Sequence, residues 1–334
     1  MKEFTLTRTE VCDIASAMNG VKIAVIGDVC LDIYWRADMK KSRLSRETPH
    51  YPLPVVSEVF SPGAGGNVIN NLAALSPAKL MPISVVANDW RGFLLTQYFT
   101  DHGISTDFLV TRQTGLTPAY AKPIRLGISE VVYEDPRLDF ENYSPLSRNT
   151  EMDLLEALEQ TAAEVDVLCV SDQMEFGCIT PKIRRYLCAL GKQGLPVLVD
   201  SRSRGGEYSN VILKPNEVEA AAILGEEIQT VEDGHRLCKE LSRKTHTDAV
   251  ITLGGRGSVL CVAGNTVHCP AQPVEPPLDF CGAGDTFLSG LGVFLAAGAS
   301  LQQAAEAATL CSAVTVKKLH TTGTATAQEI LALL

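Results

Sequence analysis

Short runs of β-branched and other apolar residues alternate with helix-length amphipathic segments along most of this 334-residue chain. Apolar strands separated by helices are typical of a parallel sheet that is covered by helices on both faces. Buried strands are predicted at residues 21–26, 82–87, 165–170, 196–199, 211–213 and 249–253. Helices are predicted at residues 67–75, 151–164, 181–193, 217–224, 232–244, 285–297 and 301–318. This order predicts an α/β fold with a mostly parallel central sheet.

Two segments interrupt the alternation, at about residues 33–61 and 117–143. Apolar and polar residues alternate within them, at 51–60 and 120–132, which is the pattern of strands with one buried face. Each segment follows or precedes a core strand, so we expect both to form a small β-strand lid over the carboxyl edge of the sheet. No repeat or low-complexity linker divides the chain, and we predict one domain, residues 1–334, with the lid inserted in it.

The chain carries a formal net charge of −10, and 46% of its residues are hydrophobic. An acidic protein has no overall field that draws it to nucleic acid or to an anionic membrane, so a small-molecule partner is expected instead. Its ten cysteines include no Cys-x-x-Cys pair and mostly lie in apolar runs, which indicates reduced core residues. No signal-peptide pattern and no membrane-length apolar stretch is found, so we expect a cytoplasmic location.

The most specific motif is at residues 279–287, which read Asp-Phe-Cys-Gly-Ala-Gly-Asp-Thr-Phe and lead into a predicted helix. A glycine-rich turn at a helix N-terminus presents free backbone N–H groups to an anion. The carboxylate of Asp285 would weaken a simple phosphate site, so the combination favours a base beside a phosphate and therefore phosphoryl transfer to a hydroxyl. The alternative is that Asp285 only caps the helix.

Other polar groups follow the predicted strands, at the sheet edge where α/β proteins bind ligands. Residues 27–32 lack the Gly-x-Gly-x-x-Gly fingerprint of dinucleotide binding, and Asp32 is either a turn residue or an acceptor for a polyol hydroxyl. The glycine cluster 63–66 precedes Asn67, whose amide suits sugar hydroxyls, although a turn with an Asn cap would look the same.

Asn216 and Glu219 lie three residues apart after another predicted strand. Their oxygens could hold the waters of a magnesium ion, or they could form a capping box at the start of the next helix. The run Gly254-Gly255-Arg256-Gly257 would let the backbone approach a nucleotide, and it is equally consistent with a hairpin turn.

In four motifs the chain resembles the ribokinase-like (PfkB-type) carbohydrate kinases over nearly its full length: residues 63–67, Asn216-x-x-Glu219, residues 254–257 and the 279–286 signature. The resemblance implies a three-layer sandwich fold and the use of ATP and Mg²⁺. Within the family the chain is most similar to the kinase domain of bacterial D-glycero-β-D-manno-heptose 7-phosphate kinases. The stretches that carry this similarity are residues 27–35, 42–49, 137–141, 213–219 and 317–319.

The resemblance also implies a role for individual residues. Asp285 would be the general base, with an anion hole formed by the N–H groups of Gly282, Ala283 and Gly284. The sugar would be bound by Asp32, Gly66 and Asn67, and the nucleotide site would be lined by Thr252, Gly254 and Gly257. Asn216 and Glu219 would organise Mg²⁺ through water, and Asp279 matches a loop that binds a monovalent cation such as K⁺ in some relatives. Lid strands in this family often pair between subunits, which implies a homodimer.

A phosphorylated sugar needs cationic partners, and the candidates are Arg43 and Arg46 in the basic run 40–46 of the lid. Heptose kinases usually carry a lysine in the stretch that here reads Ser-Asp-Gln-Met-Glu-Phe-Gly, residues 171–177, and this chain lacks it. Arg202, which lies downstream, is the candidate that would supply positive charge near the phosphates instead. This departure keeps open a different PfkB-type sugar substrate. A non-catalytic sugar or nucleotide sensor is the alternative from another functional class.

Overall fold

The structure is a computed structural model that describes residues 6–127, 129, 132–319 and 322–334. Its larger sheet has nine strands. In chain order they are β1 (Lys22–Gly27), β4 (Lys79–Ala87), β5 (Phe108–Arg112), β9 (Val167–Asp172), β10 (Val197–Ser201), β11 (Ile212–Leu213), β12 (Ala249–Thr252), β13 (Ser258–Val262) and β14 (Asn265–Cys269). The smaller sheet contains β2 (Val29–Asp38), β3 (Val55–Ala64), β6 (Ala119–Leu126), β7 (Tyr133–Glu134) and β8 (Leu138–Phe140).

The larger sheet is parallel from β5 to β12, in the order β14-β13-β12-β11-β10-β9-β1-β4-β5, and its last two strands are antiparallel. Successive residues of a strand point to opposite faces, and here both faces are buried. Val25 and Cys169 belong to one hydrophobic cluster, whereas Ile26 and Val170 belong to another. The strands therefore lie between two separate cores.

Ten helices are described: α1 (Arg8–Ala17), α2 (Gly65–Ala74), α3 (Trp90–Asp101), α4 (Arg148–Ala162), α5 (Pro181–Lys192), α6 (Glu217–Leu224), α7 (Val231–Thr245), α8 (Ala283–Ala296), α9 (Leu301–Thr315) and α10 (Ala327–Leu331). Helices α1, α2, α3, α8, α9 and α10 supply residues to the first core. Helices α4, α5, α6 and α7 supply the second. This arrangement confirms the predicted three-layer α/β fold.

The smaller sheet begins almost directly from the larger one, because only Asp28 separates β1 from β2. In this sheet β2 pairs antiparallel with β3 and parallel with β6. The outer half of β3 is exposed, whereas its inner end, next to α2, is buried. The sheet therefore extends from the carboxyl edge of the larger sheet, where the lid was expected.

The six predicted core strands and seven predicted helices are all present, with ends shifted by up to about three residues. Helices α1, α3 and α10 and strands β5, β13 and β14 were not predicted. Residues 128, 130 and 131 of the predicted lid segment 117–143 lie outside the described residues. Among the residues that are described, no helix has the length and apolarity required to cross a bilayer.

Candidate active site

The signature loop ends at the first turn of α8. Gly282 adopts a left-handed backbone conformation (φ 78°), which glycine tolerates without strain, and α8 begins at the next residue. Asp279 accepts a hydrogen bond from the Cys281 N–H at 2.9 Å, and the Ala283 N–H donates to the Phe280 carbonyl at 3.2 Å. The Ala283 N–H is thus engaged within the turn, and Ala283 and Gly284 line a cavity described below. The anion hole at residues 282–284 stays a prediction.

Asp285 lies in the first turn of α8 and is partly exposed. Its Oδ2 accepts a hydrogen bond from the Asn67 amide at 3.2 Å, and its Oδ1 accepts one from the Gln173 amide at 3.2 Å. Desolvation and the nearby Asp200 carboxylate raise the pKa of Asp285 to about 7, against the opposing effects of Asn67, Lys214 and Gln173. A carboxyl group with this pKa can both accept and release a proton near neutral pH.

A buried ion pair lies beside Asp285. The ammonium of Lys214, which is 3% exposed, lies 2.9 Å from the carboxylate of Asp200. Burial alone would lower the pKa of Lys214, but Asp200, with Glu219 and Asp285, outweighs burial, and the pKa is raised. Lys214 is therefore a fixed positive charge next to Asp285. Its position directly after β11 is the signal that could have identified it from the sequence.

The loop at residues 173–178 positions Gln173. The buried carboxylate of Asp28 accepts the backbone N–H groups of Gln173 at 2.9 Å, Met174 at 2.7 Å and Cys178 at 2.6 Å. The Arg204 guanidinium, paired with buried Asp172, donates to the carbonyl groups of residues 174 and 175. This loop is the stretch that departs from the heptose kinase pattern. From the sequence, the departure predicts only that this loop differs from that of the heptose kinases. The contact between Gln173 and Asp285 is visible only in the structure.

The predicted sugar-binding residues lie on β2 and α2, and one of them, Asn67, contacts Asp285. Asp32 is buried on β2, and burial raises its pKa although Lys122 and Arg137 oppose the change. Gly63 of β3 leaves room for it, because a Cβ at that position would lie 2.5 Å from Asp32 Oδ1. Gly66 and Asn67 are buried in the first turn of α2. Asp32 of the smaller sheet and Asn67 of α2 thus lie on one side of Asp285. We call the space bordered by Asp32, Asn67 and Asp285 the groove.

A cavity of about 750 Å³ opens on the other side of the α8 N-terminus. Among the residues that line it are the predicted Asn216, Thr252, Gly254, Gly257, Ala283 and Gly284. Gly257 has φ 92°, and a Cβ there would lie 2.1 Å from the Cys269 carbonyl oxygen, so the backbone must approach closely. The volume is within the range of nucleotide-sized sites, so the cavity fits the ATP that the motifs imply.

Asn216 and Glu219 form a capping box at the start of α6. The Asn216 Oδ1 accepts the N–H groups of Val218 and Glu219, each at 2.9 Å, and Glu219 Oε2 accepts the Asn216 N–H at 2.9 Å. Burial and Asp200 raise the pKa of Glu219. In the described part of the chain no three His, Cys, Asp or Glu side chains cluster as metal ligands.

The three predicted arginines occupy different places. Arg202 is exposed and donates to the Gln173 side-chain oxygen at 3.4 Å, which puts it beside the base. Arg43 and Arg46 are exposed between β2 and β3, and neither forms a hydrogen bond or ion pair with any residue that the structure describes. The structure thus brings Arg202, but neither lid arginine, into contact with the site.

Comparisons with known proteins relate the chain to one family. The profile of the pfkB family carbohydrate kinases matches residues 22–328. The bifunctional protein HldE of Geotalea uraniireducens is 33% identical over 338 residues, covering 98% of this chain and 66% of that protein. HldE of Caulobacter vibrioides is 34% identical over 327 residues, with 95% and 64% covered. The chain thus spans slightly less than two thirds of the length of these relatives.

Two solved structures share the fold at low sequence identity. The ribokinase of Arabidopsis thaliana, complexed with ribose and ATP, has a TM-score of 0.72 at 19% identity, covering 94% of this chain and 98% of the other. Phosphofructokinase-2 from Escherichia coli, in complex with fructose-6-phosphate, has the same TM-score, identity and coverage. The fold is therefore ribokinase-like, and with the match over residues 22–328 the chain belongs to the pfkB family of carbohydrate kinases.

Proposed function

We propose that this protein transfers the γ-phosphoryl group of ATP to a hydroxyl of a sugar phosphate, with the 1-hydroxyl of D-glycero-β-D-manno-heptose 7-phosphate as the leading candidate. The observation that carries the proposal is the position of Asp285. Its carboxylate lies between Asn67 on the sugar side and the nucleotide-sized cavity on the other, with a pKa of about 7.

The reaction needs one proton acceptor and a site for the developing negative charge. The acceptor hydroxyl, held by Asp32 and Asn67, gives its proton to the Asp285 carboxylate while its oxygen bonds to the γ-phosphorus. The bond from that phosphorus to the bridging oxygen breaks, and ADP leaves with the electron pair. The N–H groups at the α8 N-terminus and the Lys214 ammonium stabilise the transferring phosphoryl group.

Asn216 and Glu219 are the residues that would hold Mg²⁺ through water. Asn216 lines the cavity, and Glu219 is hydrogen-bonded to Asn216 and lies near Lys214. The ion would neutralise phosphate charge. The capping box uses Glu219 Oε2, and the other carboxylate oxygen would accept a hydrogen bond from a metal-bound water. The monovalent cation at Asp279 stays a prediction from the family resemblance.

The heptose phosphate assignment rests on the sequence stretches at 27–35, 42–49 and 137–141 and on the similarity to HldE proteins over nearly the whole chain. We also propose that residues 1–334 act as one kinase domain. A homodimer through the lid remains a prediction. The exposed valines of its edge strand β3, Val55, Val56 and Val59, are the surface on which a second copy could pair.

A screen of free and phosphorylated sugars for ADP release tests the proposal. Asp285→Asn keeps the size of the side chain but removes the proton acceptor, so turnover should fall roughly 10²–10⁴-fold while ATP binding stays nearly unchanged. Wild-type protein that binds sugar and ATP without releasing ADP would indicate a sensor instead. Near-normal turnover by the asparagine variant would refute Asp285 as the base.

A further inference from the structure

One face of the smaller sheet carries four polar side chains toward the groove. Asp32 and Tyr34 are two residues apart on β2, and their register partners on β6 are Tyr120 and Lys122. Residues two apart on a strand share a face, so all four lie on one side of the sheet. Tyr120 and Cys30 pack with Met174 of the 173–178 loop, which fixes this face against the loop that carries Gln173.

Lys122 differs from three neighbouring cations that are paired with carboxylates. Lys214 is paired with Asp200, Arg204 with Asp172, and Arg137 with Asp139. Arg202 is exposed and contacts Gln173. Lys122 is half-buried and contacts Tyr34, whose hydroxyl oxygen is 3.4 Å from its ammonium nitrogen and whose ring centroid is 5.0 Å away. Within the described residues no carboxylate lies within ion-pair distance of its ammonium group.

From this geometry we infer that the Lys122 ammonium binds the phosphate group that the acceptor sugar already carries. The inference rests on the proposed function and specifies the substrate class as a sugar phosphate. β2 and β6 run parallel away from the larger sheet, and Lys122 lies two residues beyond the register partner of Asp32. Two residues of strand advance about 7 Å, which suits a substrate with a ring hydroxyl at Asp32 and a terminal phosphate at Lys122.

Two further observations support a role for Lys122 with the acceptor sugar. Lys122 shares one face of the smaller sheet with Asp32 and opposes the rise in the pKa of that carboxyl group, whereas Lys214 is paired with Asp200 and opposes the rise in the pKa of Asp285. Arg137 lies 4.2 Å from the centre of the Tyr120 ring and adds positive charge near Asp32. The face that carries Asp32 is therefore also the face that carries positive charge.

Equilibrium binding without ATP tests the inference, using heptose 7-phosphate and the same heptose without phosphate. Lys122→Met keeps the apolar stem and should weaken binding of the phosphorylated sugar about 10-fold or more, since a charged hydrogen bond is lost. Binding of the free heptose should stay within about twofold. Lys122→Arg should retain most of the affinity, and Lys41→Met, an exposed lid lysine, should match wild type.

Competition in wild-type protein gives a second readout that does not depend on how the variants fold. Inorganic phosphate should compete with heptose 7-phosphate and not with free heptose. Equal weakening of both sugars in Lys122→Met, no weakening, or a loss found instead in Arg43→Ala would overturn the assignment. The assignment would also be overturned if wild-type protein bound neither heptose 7-phosphate nor fructose 6-phosphate. Because these are binding measurements, a failure of turnover would refute the kinase proposal separately.

Discussion

The side-chain amide of Gln173 donates a hydrogen bond to Oδ1 of Asp285 at 3.2 Å, opposite the Asn67 amide, which donates to Oδ2 at the same distance. Both donors are neutral, and both favour the ionised carboxylate. Desolvation and Asp200 favour the protonated form. The balance of these opposing effects gives Asp285 a pKa of about 7. Gln173 therefore adjusts the basicity of the group that would take the substrate proton.

Gln173→Ala should move the pH profile of turnover to higher pH. Removing a donor to the carboxylate raises the pKa of Asp285 above its present value of about 7. We expect a shift of about 0.5–1 pH unit, with the largest loss of activity below pH 7. Gln173→Glu should shift the acid limb further because it adds a like charge. An unchanged acid limb in both variants would mean that Gln173 has no such influence.

Asp285 should also make folding stability depend on pH. Its pKa is raised from 3.8 to about 7 on folding, so ionisation is harder in the folded state, and stability falls as pH rises from about 4 through 7. Asp285→Asn should therefore be more stable than wild type at pH 8 by about 1–3 kcal/mol, with the difference vanishing near pH 4. Urea unfolding at the two pH values measures it. A variant with equal stability at pH 8 would contradict the raised pKa.

Glu219→Gln should separate the capping role from the metal role. Glutamine still accepts the Asn216 N–H, so the free energy of unfolding should fall by less than about 1 kcal/mol. The lost charge should raise the Mg²⁺ concentration needed for half-maximal turnover, with partial recovery at high Mg²⁺. Glu232→Gln, an exposed carboxylate in the first turn of α7, is the control. An unchanged Mg²⁺ dependence would leave Glu219 as a cap alone.

Gly63→Ala should impair sugar binding without affecting ATP. The added methyl group would lie 2.5 Å from Asp32 Oδ1 and 2.6 Å from Cys30 Sγ, so the Asp32 carboxylate must move. We expect the KM for the sugar to rise about 10-fold, as for loss of a hydrogen bond to a charged group. Gly20→Ala, with no atom within 4 Å of the new methyl, serves as control. Equal KM values for sugar in both variants would remove Asp32 from the binding site.

The fold and the α8 turn beside the cavity could be predicted because they depend on local patterns. A glycine is needed where the backbone is left-handed or must approach another group closely. Gly282 at the α8 turn and Gly257 are such positions, so each motif is visible in one stretch of sequence. Strands β13 and β14 were missed because they form an antiparallel hairpin outside the strand–helix alternation.

The surroundings of Asp285 and the inner face of the smaller sheet were harder to predict because their residues are brought together by tertiary contacts. Gln173 meets Asp285 across 112 residues of sequence, and its loop is held by Asp28, which lies 145 residues before it. Lys122 owes its place to the register of β6 against β2, which no local motif encodes. The basic run at 40–46 drew the prediction to Arg43 and Arg46, although clustered positive charge is also stable when solvated.

Asp28 is the only residue between β1 and β2, and its carboxylate accepts three N–H groups of the loop that carries Gln173. One side chain therefore joins the strand that leads to Asp32 with the loop whose amide contacts Asp285. Loss of the Asp28 carboxylate would release three N–H groups of that loop, so the order of the loop and the position of the Gln173 amide depend on a residue that touches neither Asp285 nor a substrate.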